Sequence, residues 1–169
     1  ISTYRKMHVW EQPGERVIVL MTAGNLATTQ AVVSLLDERS KAVADRHATV
    51  LETPSMYQTA RLVGDTVKEV IASSAPEGER ADAYFNASFV LGGQIRGSQP
   101  RLFMIYPEGN FIEATEDTPF FQIGETKYGK PIIVRAYDRT MTFAETVKLM
   151  LVSFDSTLKS NLYPPSGSQ

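Results

Sequence analysis

The chain has 169 residues, with 17 Lys and Arg against 19 Asp and Glu, a net charge of −2 and no cysteine. The near-neutral balance and the lack of any Lys/Arg run remove the main argument for nucleic-acid binding. The missing thiols exclude disulfides, thiolate metal sites and a cysteine nucleophile, and suit the cytoplasm. The length suits one domain with a real core, and no apolar run is long enough to span a bilayer, so no membrane partner is expected.

Tyr4 to Trp10 alternates weakly and reads as a strand. Gln12-Pro13-Gly14-Glu15 is a turn, and Arg16 to Met21 is an apolar run with the pattern of a buried strand. Asn25 is placed to cap a helix that should reach Arg39 or Ser40. That helix is expected to bury Leu26, Val33 and Leu36, with Val32 and Leu35 widening the face. Lys41 to Thr53 is polar and reads as irregular. Ser55-Met56-Tyr57-Gln58 then forms a capping box ahead of Met56, Ala60, Val63, Val67 and Val70 at helical spacing.

Ser73 to Asp82 reads as a loop, after which the period becomes that of strands. Tyr84 to Ile95, with a bulge expected at Gly92-Gly93, Arg101 to Tyr106 and Phe111 to Thr115 form a β-meander. Phe120 to Gly124 is a further apolar run ending in glycine. A helix is expected over roughly Thr126 to Tyr137, with Pro131 in its first turn, where the lost N–H costs least. Thr142-Phe143-Ala144-Glu145 is a second capping box, opening a helix with Val147, Leu151, Phe154 and Leu158 on one face. Strands, two helices, strands, two helices are satisfied by two sheet layers between two pairs of helices.

The chemistry concentrates near the start. Lys6 lies on the first strand, and the second breaks at Gly24 into a helix. A backbone break at that point presents an N–H at a helix start, where negative charge is favoured, and a neighbouring lysine adds a cation or proton carrier. The expectation is that the Lys6 ammonium and the Gly24 amide share a hollow between two stacked β layers, an oxyanion-stabilising site that lacks a nucleophile. His8 and His47 lie far apart with no carboxylate spacing for a metal and read as structural or exposed. Glu125 reads as a helix-start residue. No metal or organic cofactor is implied.

With these residues in order, the chain resembles a proteasome-type subunit of the N-terminal-nucleophile hydrolases, and more narrowly the bacterial ancestral-β-subunit group, Anbu. The resemblance rests on Tyr4-Arg5-Lys6-Met7-His8-Val9, Thr22-Ala23-Gly24-Asn25-Leu26-Ala27, Phe121-Gln122-Ile123-Gly124-Glu125-Thr126-Lys127-Tyr128-Gly129 and Ser160-Asn161-Leu162-Tyr163-Pro164-Pro165-Ser166-Gly167. It implies an α+β fold, a four-layer α-β-β-α sandwich. It also implies threonine-type peptidase or amidohydrolase chemistry on peptide or amide substrates, and self-association into a ring or spiral homo-oligomer. Residue by residue, it makes Lys6 the lysine beside the nucleophile and Gly24 the oxyanion N–H. Thr22, with Ala23, becomes part of the substrate pocket, and Asn161 and Ser166 fall at catalytic positions near the C-terminus. As residues alone, Asn161 and Ser166 read as turn formers.

The departures matter as much. In the family the nucleophile opens a strand one β-hairpin upstream of the lysine, and here only five residues precede Lys6. The hairpin's aspartate is also missing, Glu125 stands where many relatives carry serine, and the closing strand would follow Gly167. The expectation is one proteasome-subunit-like domain over residues 1–169, lacking its first hairpin and last strand and inactive as it stands. A non-catalytic scaffold or assembly subunit is the alternative.

Overall fold

The computed structural model describes residues 4–41, 47–74 and 86–162. The contacts divide the chain into two compact units, residues 1–123 and 124–169. The first unit holds β1 (Met7–Gln12), β2 (Arg16–Gly24), α1 (Leu26–Lys41), α2 (Met56–Ser74), β3 (Ala87–Ile95), β4 (Arg101–Ile105) and β5 (Phe111–Glu113). The second holds α3 (Lys130–Ala136) and α4 (Phe143–Leu162).

The five strands form one antiparallel sheet in the order β1-β2-β3-β4-β5. The turns fall where Pro and Gly place them. Glu15 N donates to Gln12 O and Gly109 N to Tyr106 O, with Gly14 and Gly109 at positive φ. The register puts Trp10, Ile18, Leu20, Phe89, Leu91, Phe103 and Ile105 on one face, all buried beneath α1 and α2. All five residues of the α2 stripe, Met56, Ala60, Val63, Val67 and Val70, enter this core. A fully buried aliphatic side chain contributes about 1.5–3 kcal/mol, so this face holds α2 in place more than helix propensity does. Ser55 caps α2, its hydroxyl accepting from Gln58 N at 3.2 Å.

Several expectations are corrected. Gly92 and Gly93 keep unbroken register with β2 and β4, so there is no bulge. A β-carbon at Gly93 would strike the Val17 carbonyl oxygen and crowd Met56, and glycine here serves close packing. Leu26 is not buried in α1, because it sits in the first turn at the end of the sheet. The expected helix from Thr126 shortens to α3, with a turn at residues 127–129 in which Glu125 accepts from Lys127 N at 2.6 Å. Pro131 does occupy the first turn of α3.

The Thr142–Glu145 capping box closes in both directions, Thr142 N to Glu145 Oε2 at 2.8 Å and Glu145 N to Thr142 Oγ1 at 3.3 Å. The face expected to be buried on α4 is nevertheless exposed, with Leu151, Phe154 and Leu158 each more than 60% accessible. The helix turns Leu149 and Ser153 inward instead, and Gly129 lies tight against Ser153 and Thr157. The described residues hold one sheet, a layer of the α+β fold expected from the sequence. Residues 119–123 take no strand pairing, and Thr115 N donates instead to Thr118 O in a local turn. The fold class is α+β, and the chain supplies one sheet layer with its helix pair and, in the second unit, another helix pair.

Candidate functional site

The end of the sheet where β2 meets α1 carries the candidate site. Gly24 has φ of +99°, and a β-carbon there would collide with the Asn86 carbonyl oxygen, so only glycine fits. Asn25 N donates to that same oxygen at 2.7 Å, and the Asn25 side chain caps α1 by accepting from Thr28 N at 3.1 Å. The chain therefore leaves β2 and enters α1 through a locked corner.

On its other side β2 meets β1. Thr22 N donates to Lys6 O at 2.9 Å. N–H groups two residues apart on a strand face the same way, so the Gly24 N–H points to the β1 side, as Thr22 N does. Lys6 lies one residue before β1 begins and is exposed. Lys6, Thr22, Ala23 and Gly24 line one hollow of about 380 Å³. Its wall is completed by Tyr4, Arg5 and His8 from the β1 side and by Leu26, Thr29 and Gln30 from the first turns of α1. The volume lies within the range of small-molecule sites, about 300–1,000 Å³.

The hollow brings four of the expected site residues together. It opens at the end of a single sheet, against α1, and not between two β layers. Asn161 lies in α4 with its side chain outside the described residues, and Ser166 lies outside them altogether. Sequence reading took His8 as structural or exposed, named Tyr4 and Arg5 only within a segment of the resemblance, and passed over Gln30. The available signal was parity, because His8 follows Lys6 by two on the same strand and so shares its face. His8 also stacks on Trp10, with ring centroids 6.4 Å apart, and Trp10 Nε1 is anchored on Asp37 Oδ1 at 2.7 Å. Among the described residues no group of three or more His, Asp or Glu is placed to hold a metal ion. No helix among them is long and apolar enough to cross a membrane.

The proteasome subunit family matches residues 15–167. The chain belongs to that family.

Within it, the chain falls in the Anbu group. The Anbu (ancestral beta-subunit) from Yersinia bercovieri is 50% identical with a TM-score of 0.86, over 95% of this chain and 65% of its own. An Anbu from Hyphomicrobium sp. strain MC1 is 53% identical with a TM-score of 0.77, over 92% of this chain and 70% of its own. A structure described as a helical assembly of the Anbu complex from Pseudomonas aeruginosa is 44% identical with a TM-score of 0.84, over 95% and 65%. The chain thus spans about two thirds of the length of these proteasome-type relatives. Among curated proteins none is significantly similar to it.

Proposed function

We propose that this chain is the Lys6- and Gly24-bearing part of a proteasome-type subunit that hydrolyses peptide or amide bonds by acyl transfer through an N-terminal hydroxyl. The observation that carries the reading is the shared hollow of Lys6 and Gly24 in a chain of this family. In the proposed reaction the nucleophile, on residues preceding Ile1, attacks the carbonyl carbon. The Gly24 N–H donates to the developing oxyanion, a kind of contact that contributes about 3 kcal/mol to transition-state stabilisation. Lys6 supplies positive charge for the proton transfers, and Thr22 and Ala23 shape the substrate wall. Asn161 and Ser166 belong to the same proposal as supporting groups from the C-terminal end. The reading uses no metal or organic cofactor and places the protein in the cytoplasm. In it the subunit is a single domain that continues beyond both ends of this chain and assembles with its own copies in a ring or spiral. The helical assembly of the P. aeruginosa relative supports that last point.

The test is an assay of the intact translated product with small peptide amides. Turnover is expected, and Lys6→Ala should lower kcat/KM by roughly 10²- to 10⁴-fold while assembly persists. The 169-residue chain alone should give no turnover; hydrolysis by it would place the nucleophile inside the chain.

The second reading is a non-catalytic assembly subunit, supported by the helical assembly of the P. aeruginosa relative. An intact product that assembles yet cleaves nothing would establish it.

A further inference from the structure

We infer that the hollow beside Gly24 selects an acidic substrate side chain. The inference rests on the peptidase reading above and adds to it the class of residue bound next to the scissile bond. Arg5, Lys6 and His8 all line the hollow, and no Asp or Glu does among the described residues. The first turn of α1, which closes the wall, is also free of acidic residues. The carboxylates closest along the chain are turned to other tasks. Glu11 lines a separate hollow at the far end of the sheet. Asp37 is held by the Trp10 indole N–H.

A cleft with one sign of charge raises the local concentration of the opposite charge and repels the like. Arg5 lines the hollow and adds a positive charge there, and the imidazole of His8 offers a donor on the Lys6 side of the strand. The Gly24 N–H serves the scissile carbonyl. Lys6 is shared with the proposed chemistry, so Arg5 and His8 carry the selectivity.

The experiment titrates the 169-residue chain, followed through its backbone amide shifts, with three peptides. These are acetyl-Ala-Ala-Glu-amide, its Gln counterpart, and acetyl-Ala-Ala-Gln with a free terminal carboxylate. The Glu amide should bind about tenfold more tightly than the Gln amide, the yield of two or three partly exposed ion pairs, and it should shift the Lys6, His8 and Gly24 amides. The preference should shrink in high salt and approach unity in the Arg5→Ala, His8→Gln double variant. Equal binding of the two amides would overturn the acid preference and leave the hollow a peptide site. Binding of the free-carboxylate peptide as tightly as the Glu amide would overturn the side-chain assignment in favour of a chain terminus. Failure of all three peptides to shift Lys6 and Gly24 would overturn the acid preference, while the turnover assay of the intact product decides the peptidase reading separately. If the double variant does not fold, the Glu-to-Gln comparison on the unaltered chain still decides.

Discussion

The two units handle apolar surface in opposite ways. In the first, one face of a sheet and the stripes of two helices close over each other, and Ile18, Leu20, Phe89, Leu91, Phe103 and Ile105 are all fully buried. In the second, α4 buries Leu149 and Ser153 while leaving Leu151, Val152, Phe154 and Leu158 mostly exposed. The same helical periodicity that marks a core in α2 marks an uncovered face in α4. Period reports that a stripe exists; it does not report whether this chain supplies the cover.

The comparison breaks if the two stripes prove equally costly to truncate. Phe89→Ala should lower stability by about 3–5 kcal/mol in urea unfolding. Leu151→Ala should stay within about 0.5 kcal/mol, as for an exposed position. At the corner between sheet and helix, Gly24→Ala should cost about 2 kcal/mol from the forced positive φ and the collision with Asn86, read in the same unfolding series.

A smaller effect sharpens the picture at the sheet edge. Arg101 grips Glu113 with two bonds, Nε to Oε1 at 2.5 Å and Nη2 to Oε2 at 2.6 Å. Those bonds hold the Glu113 carboxyl below the usual carboxylate range against the opposing effect of burial. The stabilisation is therefore fully present above the unfolded-state carboxylate pKa and is lost as pH falls through the lowered native value. Both side chains are about one-third exposed, so the pair contributes about 0.5–1 kcal/mol after screening. Glu113→Gln should remove that amount near neutral pH and flatten the acid limb of the stability curve. The smallest effect belongs to α4. Hydrogen bonds from the Thr142 N–H and hydroxyl lower the Glu145 carboxyl, so acidification through that lowered value should fray the first turn, visible as a local loss of amide protection.

Much of the first unit is legible in the chain itself. The turns at Gly14 and Gly109, the Asn25 cap and the α2 stripe each follow from one residue type in a position with few alternatives. Lys6, Thr22, Ala23 and Gly24 share a hollow because two adjacent strands end together, and that adjacency is readable from a short turn between them. The less legible features depend on distant partners. Gly93 looks like a bulge until Met56 is seen above it, and Leu26 looks like core until the sheet ends beneath it. Arg5 and His8 stand in the Tyr4 to Val9 segment of the resemblance with no role assigned there, and only strand parity links His8 to Lys6. The second sheet was expected from symmetry of element order, a pattern that says nothing about whether residues 119–123 pair.

Trp10 is the lone tryptophan of the chain. Its indole is tethered at one end to Asp37 and faces the His8 ring at the other. The molecule thus carries a single fixed emitter one side chain away from the hollow. Any occupant that displaces the imidazole should change the emission, so ligand screening can proceed by light alone, without labels and without turnover.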